Sequence, residues 1–184
     1  MLAVAAAGYR AIAPDSRGYG LSDQPPEPEK ATFDELADDL LGILDFLNIP
    51  KAFFVGKDFG VIPAYDFAVK HPDRVCGVVT LGFPYFPVMI SFDPLPEGLY
   101  IKRWQEPGRA EADFGRLDAK TVVRNVYILF SESEIPIAEE GREIMDLVDP
   151  SAPLPPWFTE DDLQIYAALY EKSGFRFPLQ IPYR

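Results

Sequence analysis

Two short stretches, Ala52 to Val55 and Val75 to Leu81, are almost unbroken apolar, and helical patterns stand next to both. A strand with no polar side needs cover on both faces, which is the condition of a parallel sheet packed between helices. The flanking sequence supplies such helices. Leu2 to Ala7 reads as the end of a helix stopped by Gly8, and Tyr9 to Ala13 as a short strand ending at Pro14-Asp15. Thr32-Phe33-Asp34-Glu35 is a capping box, after which Leu36, Leu40, Ile43, Leu44 and Leu47 keep helical spacing up to the Asn48-Ile49-Pro50 stop. Gly60 to Lys70 predicts the next helix. The order α-β-α-β-α-β gives an α/β class with right-handed crossovers.

Beyond about residue 85 the alternation stops. Helices are predicted near Pro107 to Phe114, near Lys120 to Phe130, and from Asp161 to Lys172 behind a cap at Thr159. The 19 prolines gather in Gln24 to Pro28, Pro84 to Pro96 and Pro150 to Pro156, which read as loops. Ser131 to Phe158 is long, acidic and proline-rich, the pattern of a functional or disordered loop. The expected division is a partial core over residues 1–85 and a helical region over residues 86–184.

Charge and composition narrow the function. Lysine plus arginine number 17 against 29 aspartate plus glutamate, a net charge of −12 that repels phosphate backbones and anionic membrane surfaces. Nucleic acid is therefore not an expected partner. No run reaches the roughly 20 apolar residues of a membrane span, and Met1 to Ala7 lacks a basic n-region, so a soluble cytoplasmic protein is expected. Cys76 is the single cysteine, which excludes an internal disulfide and any cysteine-based zinc cluster. No metal or organic cofactor is implied. His71 is the single histidine, and a helix from Gly60 would carry it roughly 17 Å from the preceding turn, so its expected role is structural.

Chemistry concentrates at Val55-Gly56-Lys57-Asp58-Phe59-Gly60, between a strand and a helix. This is the placement of a nucleophile elbow, a turn that needs small residues two before and two after its apex because strand and helix come close there. Gly56 and Gly60 meet that need, and Asp58 at the apex offers an ionised carboxylate that attacks carbon by displacement, giving an ester. By itself the pattern favours a plain strand-to-helix turn with an aspartate cap.

Its neighbours add specificity. Ala13-Pro14-Asp15-Ser16-Arg17-Gly18-Tyr19-Gly20-Leu21-Ser22-Asp23 resembles the P-D-x-R-G-x-G-x-S segment of α/β-hydrolases, a turn pinned by polar side chains, and Pro72-Asp73-Arg74-Val75 resembles the entry to the strand after the elbow. Within that superfamily the chain resembles plant-type soluble epoxide hydrolases. Tyr100-Ile101-Lys102-Arg103-Trp104-Gln105-Glu106-Pro107-Gly108 is similar to the Y-I-x-R-F-Q-x-P-G segment of their helical lid, and Gly174-Phe175 with Pro182-Tyr183-Arg184 to the lid's second tyrosine site. The resemblance implies a partial α/β-hydrolase core plus an α-helical lid. It implies that Asp58 opens a small apolar epoxide, that the hydroxyls of Tyr100 and Tyr183 hydrogen-bond the epoxide oxygen, and that water completes the reaction to a vicinal diol. Phe59 would offer a backbone N–H to the oxyanion, and Phe59 and Trp104 would line the substrate pocket. Phe59 stands where related haloalkane dehalogenases carry a halide-binding tryptophan, and Lys57 replaces a common histidine.

The same resemblance sets expectations about what lies outside these residues. The family's C-terminal histidine, its carboxylate partner and the H-G-x-P loop have no counterpart in the matching positions, so a fragment without turnover is expected. The strand that feeds that loop lies, in the family, between those represented here by Tyr9 to Ala13 and Ala52 to Val55. These two must then pair directly, shift, or leave backbone groups unpaired, in a marginal, aggregation-prone fold. The alternatives are a degenerate non-catalytic protein that binds a ligand or partner, and a dehalogenase-like hydrolase.

Overall fold

The computed structural model describes residues 1–82, 84, 85, 91–131, 133–135 and 137–183. Part of the Pro84 to Pro96 segment, the boundary at 85/86 and Arg184 lie outside the described residues. In chain order the elements are α1 (Leu2–Ala6), α2 (Phe33–Phe46), β1 (Ala52–Lys57), α3 (Val61–Lys70), β2 (Val75–Leu81), α4 (Tyr100–Gln105), α5 (Arg109–Phe114), α6 (Ala119–Leu129) and α7 (Glu160–Ser173).

The capping signals are realised in atoms. At the start of α2 the Glu35 N–H donates to Thr32 Oγ1 at 3.4 Å while Glu35 Oε2 accepts from the Thr32 N–H at 3.0 Å. Thr159 and Asp162 repeat the box at α7, and Asp118 caps α6 by accepting from the Thr121 N–H at 2.8 Å.

β1 and β2 pair in parallel, with Phe53 opposite Gly77, Val55 opposite Val79 and Lys57 opposite Leu81. α3 packs on both strands and α2 packs on α3. Between them Ala37, Leu44 and Phe67 are buried, with Leu40, Ile49, Ala52, Phe54 and Val75 against them. The cover that apolar strands require is thus present on one face. Phe53, Val55, Val79 and Leu81, on the other, are each at least half exposed.

Tyr9 to Ala13 forms no strand, against expectation. A strand exists only where a neighbour completes its hydrogen bonds, and among the described residues β1 pairs with β2 alone. The segment is thus unpaired among the described residues, and the rings of Tyr9 and Phe53 meet edge-on, 6.5 Å between centroids.

The larger core lies in the helical half. Tyr100, Trp104, Phe114, Val122, Leu129, Ile144 and Leu179 form one buried cluster, and Val123, Phe158 and Leu163 a second between α6 and α7. Two expectations change here. The helix α4 was not signalled by periodicity, because six residues make under two turns. Ser131 to Phe158, expected as a functional or disordered loop, sends Ala138, Ile144, Met145, Val148 and Phe158 into the cores and turns once as a 3-10 helix at Ile144–Leu147.

Phe67 is fully buried where α3 meets the sheet, so Phe67→Ala is expected to cost about 3–5 kcal/mol in urea unfolding and Phe67→Leu well under half of that.

Candidate active site

β1 ends at Lys57, the chain makes a 3-10 turn over Asp58–Gly60, and α3 begins at Val61. Asp58 takes the left-handed conformation, φ 52°, which a side chain adopts at a cost of about 1–2 kcal/mol. Its carboxylate is exposed, and Oδ1 accepts from the Phe59 N–H at 2.8 Å. Lys57, Asp58, Leu81 and Gly82 line an open cavity of about 550 Å³ above the turn. A larger groove of about 950 Å³ runs between the loop of residues 14–31 and α2, and contains none of the expected site residues.

The two glycines of the elbow are not equivalent. A Cβ on Gly56 would stand 2.7 Å from the Gly60 carbonyl oxygen and 2.8 Å from Val61 Cα, so the strand passes under the helix start only because the side chain is missing. A Cβ on Gly60 would meet nothing within 4 Å. The expectation that both positions must be small therefore holds for Gly56 and fails for Gly60, whose backbone rather than side chain sits at the close approach.

Tyr100 and Tyr183 come to this turn from far along the chain. Tyr183 packs its ring edge-on against Phe59, 5.7 Å between centroids, against Trp104 at 5.3 Å and against Tyr100 at 6.2 Å. Tyr100 in turn meets Trp104 at 5.2 Å and Phe130 at 4.8 Å. Asp58, Phe59, Tyr100, Trp104 and Tyr183 thus form one neighbourhood, and Phe130, which no motif singled out, closes its side. Burial, and after it the negative charge of Asp58, pushes the Tyr100 phenol up to about 12. Burial raises Tyr183 well above the ordinary phenol value, with Tyr100, Asp58 and Tyr19 adding in that order. Both phenols stay protonated at neutral pH and remain donors.

Arginines hold the surroundings. The buried Arg103, one turn after Tyr100, donates to the carbonyls of Ala138 at 3.2 Å and Glu139 at 3.0 Å and also to that of Arg142, which clamps the short helix α4 to residues 138–142. Glu143 joins the clamp through Arg103 at 3.5 Å and Arg109 at 3.0 Å. His71 caps the far end of α3 with its ring 5.0 Å from that of Phe67, and Cys76 is a free, exposed thiol. Among the described residues no helix is long and apolar enough to cross a membrane.

The sequence matches the alpha/beta hydrolase fold family over residues 2–168. It is 38% identical over 182 residues to epoxide hydrolase 1 of Siraitia grosvenorii, a match that takes in 95% of this chain and 56% of that protein. Bifunctional epoxide hydrolase 2 of Sus scrofa is 34% identical over 186 residues, covering 96% of this chain and 33% of that protein. Among solved structures, an epoxide hydrolase from an endophytic Streptomyces superposes with a TM-score of 0.85 at 31% identity, over 97% of this chain and 58% of its own. A Vigna radiata epoxide hydrolase mutant gives 0.83 at 34% identity over the same shares. The chain spans little more than half the length of the plant relatives it matches.

The asymmetry of the elbow is directly measurable. Gly56→Ala is expected to lower stability by about 1–3 kcal/mol through overpacking, whereas Gly60→Ala, at φ −63°, stays within about 1 kcal/mol of the parent in the same urea titration.

Proposed function

The chain belongs to the α/β-hydrolase fold family, and on that premise we propose that its strand-to-helix turn is an epoxide-opening site, leading to vicinal diols through an aspartyl alkyl ester. In this reading residues 1–85 are the nucleophile-bearing core and residues 86–184 the helical cap that brings both tyrosines. The substrate is a small apolar epoxide, the second reactant is water, and the reaction belongs in the cytoplasm, where an exposed unpaired thiol such as Cys76 persists.

Oδ2 of Asp58 attacks a ring carbon. The new C–O bond forms as the ring C–O bond breaks, and the epoxide oxygen takes the electron pair together with a proton from Tyr100 or Tyr183. Oδ1 becomes the ester carbonyl and keeps the Phe59 N–H it already holds at 2.8 Å, so the charge that gathers on Oδ1 when water adds to the ester has a donor waiting. Phe59 and Trp104, each edge-on to the Tyr183 ring, offer the substrate apolar surface. Water's proton needs a base, and His71, held against Phe67 at the far end of α3, is not placed to be that base.

The observation that supports this reading most is that Tyr100 and Tyr183, forty or more residues along the chain from the turn, pack edge-on to each other and to Trp104, with Tyr183 edge-on to Phe59 beside Asp58. Phenols that burial keeps protonated fit a substrate carrying an acceptor oxygen and no charge. Dehalogenation draws less support, because Phe59 has no indole N–H beside the nucleophile.

Incubation with a styrene-oxide-like epoxide is expected to add one epoxide mass to the protein, read by intact-mass spectrometry, and Asp58→Asn to abolish the adduct. A polypeptide of these 184 residues is expected to keep the ester; sustained diol release from it would refute that clause. Tyr100→Phe or Tyr183→Phe should slow adduct formation by about 10²-fold or more.

The rate should also report the phenols' protonation. The donor form is the protonated one and its pKa is raised, so activity is present below the titration and lost above it. With Tyr100 pushed up to about 12, adduct formation is expected to show no alkaline fall through pH 10, where an ordinary phenol is half ionised. A fall centred near pH 10 would contradict it.

A further inference from the structure

We infer that the turn at Asp15 to Asp23 is a positioning device for Tyr183, with Gly18 as the seat of Phe177; this rests on the reading of Asp58 and Tyr183 just given and extends it. The turn resembles a family motif, but the proposed chemistry uses none of its residues.

The turn is braced from within. Asp15 Oδ2 accepts from the Leu21 N–H at 2.9 Å, Ser22 Oγ donates to the Asp15 carbonyl at 2.7 Å, and the Gly18 N–H donates to the Asp23 carbonyl at 2.9 Å. Arg17 anchors it to α2 with two bonds of 2.7 Å to Asp39 and one of 3.1 Å to Glu35. A loop so tied presents a fixed surface.

Phe177 sits on that surface. Gly18 has φ 79°, and a Cβ there would overlap the Phe177 ring and lie 2.7 Å from Phe177 Cβ. Tyr19 closes the seat edge-on, 5.9 Å between ring centroids, and Phe177 is almost fully buried. Glu29 and Arg176 pair beside it at 2.9 Å.

From Phe177 the chain reaches Tyr183 through consecutive tight turns. The Gln180 N–H donates to the Phe177 carbonyl at 3.0 Å and the Tyr183 N–H to the Gln180 carbonyl at 3.2 Å, while Leu179 and Ile181 are buried between them. A segment coiled this tightly transmits a shift at its start to its end. The depth of Phe177 on Gly18 therefore sets where the Tyr183 ring stands against Phe59, the residue after Asp58.

The test uses Phe177→Leu and Gly18→Ala in the full chain, each with and without Tyr183→Phe, and a 3-fluorotyrosine label at Tyr183 read by fluorine NMR. Both variants are expected to move or broaden the label resonance. Adduct formation should fall about tenfold or more when Tyr183 is present and by less than about twofold in the Tyr183→Phe background, because the loss acts through that phenol. An unmoved resonance, or equal rate losses in both backgrounds, overturns the inference. If Gly18→Ala does not fold, Phe177→Leu, an apolar-for-apolar change, carries the test. If the unsubstituted chain forms no adduct, the epoxide reading fails, and the label alone decides whether the seat positions Tyr183.

Discussion

The site depends on how closely β1 and α3 approach at Asp58. With no Cβ on Gly56, the strand runs into the Gly60 carbonyl and Val61 at contact distance, and the apex residue is forced into the left-handed region. That conformation costs about 1–2 kcal/mol, and burial of one phenylalanine contributes about 1.5–3. Val61, Ala64 and Phe67, all buried on α3, hold the helix in place and outweigh the strain. The turn is therefore a fixed point, with its carboxylate directed outward instead of folded into a helix cap.

The helical half answers with burial of phenols. Tyr100 and Tyr183 are packed by ring edges of Trp104, Phe130 and Phe59, an environment that removes water and raises the cost of the phenolate. The same ring packing that surrounds both tyrosines thus keeps them protonated. Neither tyrosine owes its place to local propensity. α4 has no side-chain cap at its start, and its position comes from Arg103 reaching three carbonyls of residues 138–142.

What was legible in the sequence follows from how local each determinant is. The capping boxes at Thr32 and Thr159, the two strands and the helices α2, α3, α6 and α7 are written in neighbouring residues, and they form within a residue or two of expectation at most ends. Tyr9 to Ala13 departs from its pattern because a strand is a property of a ladder, and the segment's own residues say nothing about its neighbour. The packing of Ser131 to Phe158 is hidden for a related reason: its apolar residues have no period, yet Ala138, Ile144, Met145, Val148 and Phe158 are buried among helices that lie elsewhere in the chain. At the turn, Asp58 and Gly56 could be reached by pattern, but the irrelevance of Gly60's size could not, since it depends on which way an absent Cβ would point. Tyr100 and Tyr183 came from resemblance to a family; among nine tyrosines no spacing selects them.

The distribution of positive charge bears on what such a site accepts. The chain has 17 basic residues against 29 acidic ones, and the arginines near the helical core are spent on structure: Arg103 on carbonyls, Arg109 on Glu143, Arg116 on Asp113 and Asp146, Arg124 on the Pro150 carbonyl. Among the described residues none forms an ion pair with Asp58, whose bonded partner is a backbone N–H. An anion would meet the Asp58 carboxylate and a net charge of −12, and among the described residues the one cation lining that cavity is Lys57. An uncharged molecule loses nothing to that field. Around the turn stand the rings of Phe59 and Trp104 and two phenols that burial keeps protonated at neutral pH.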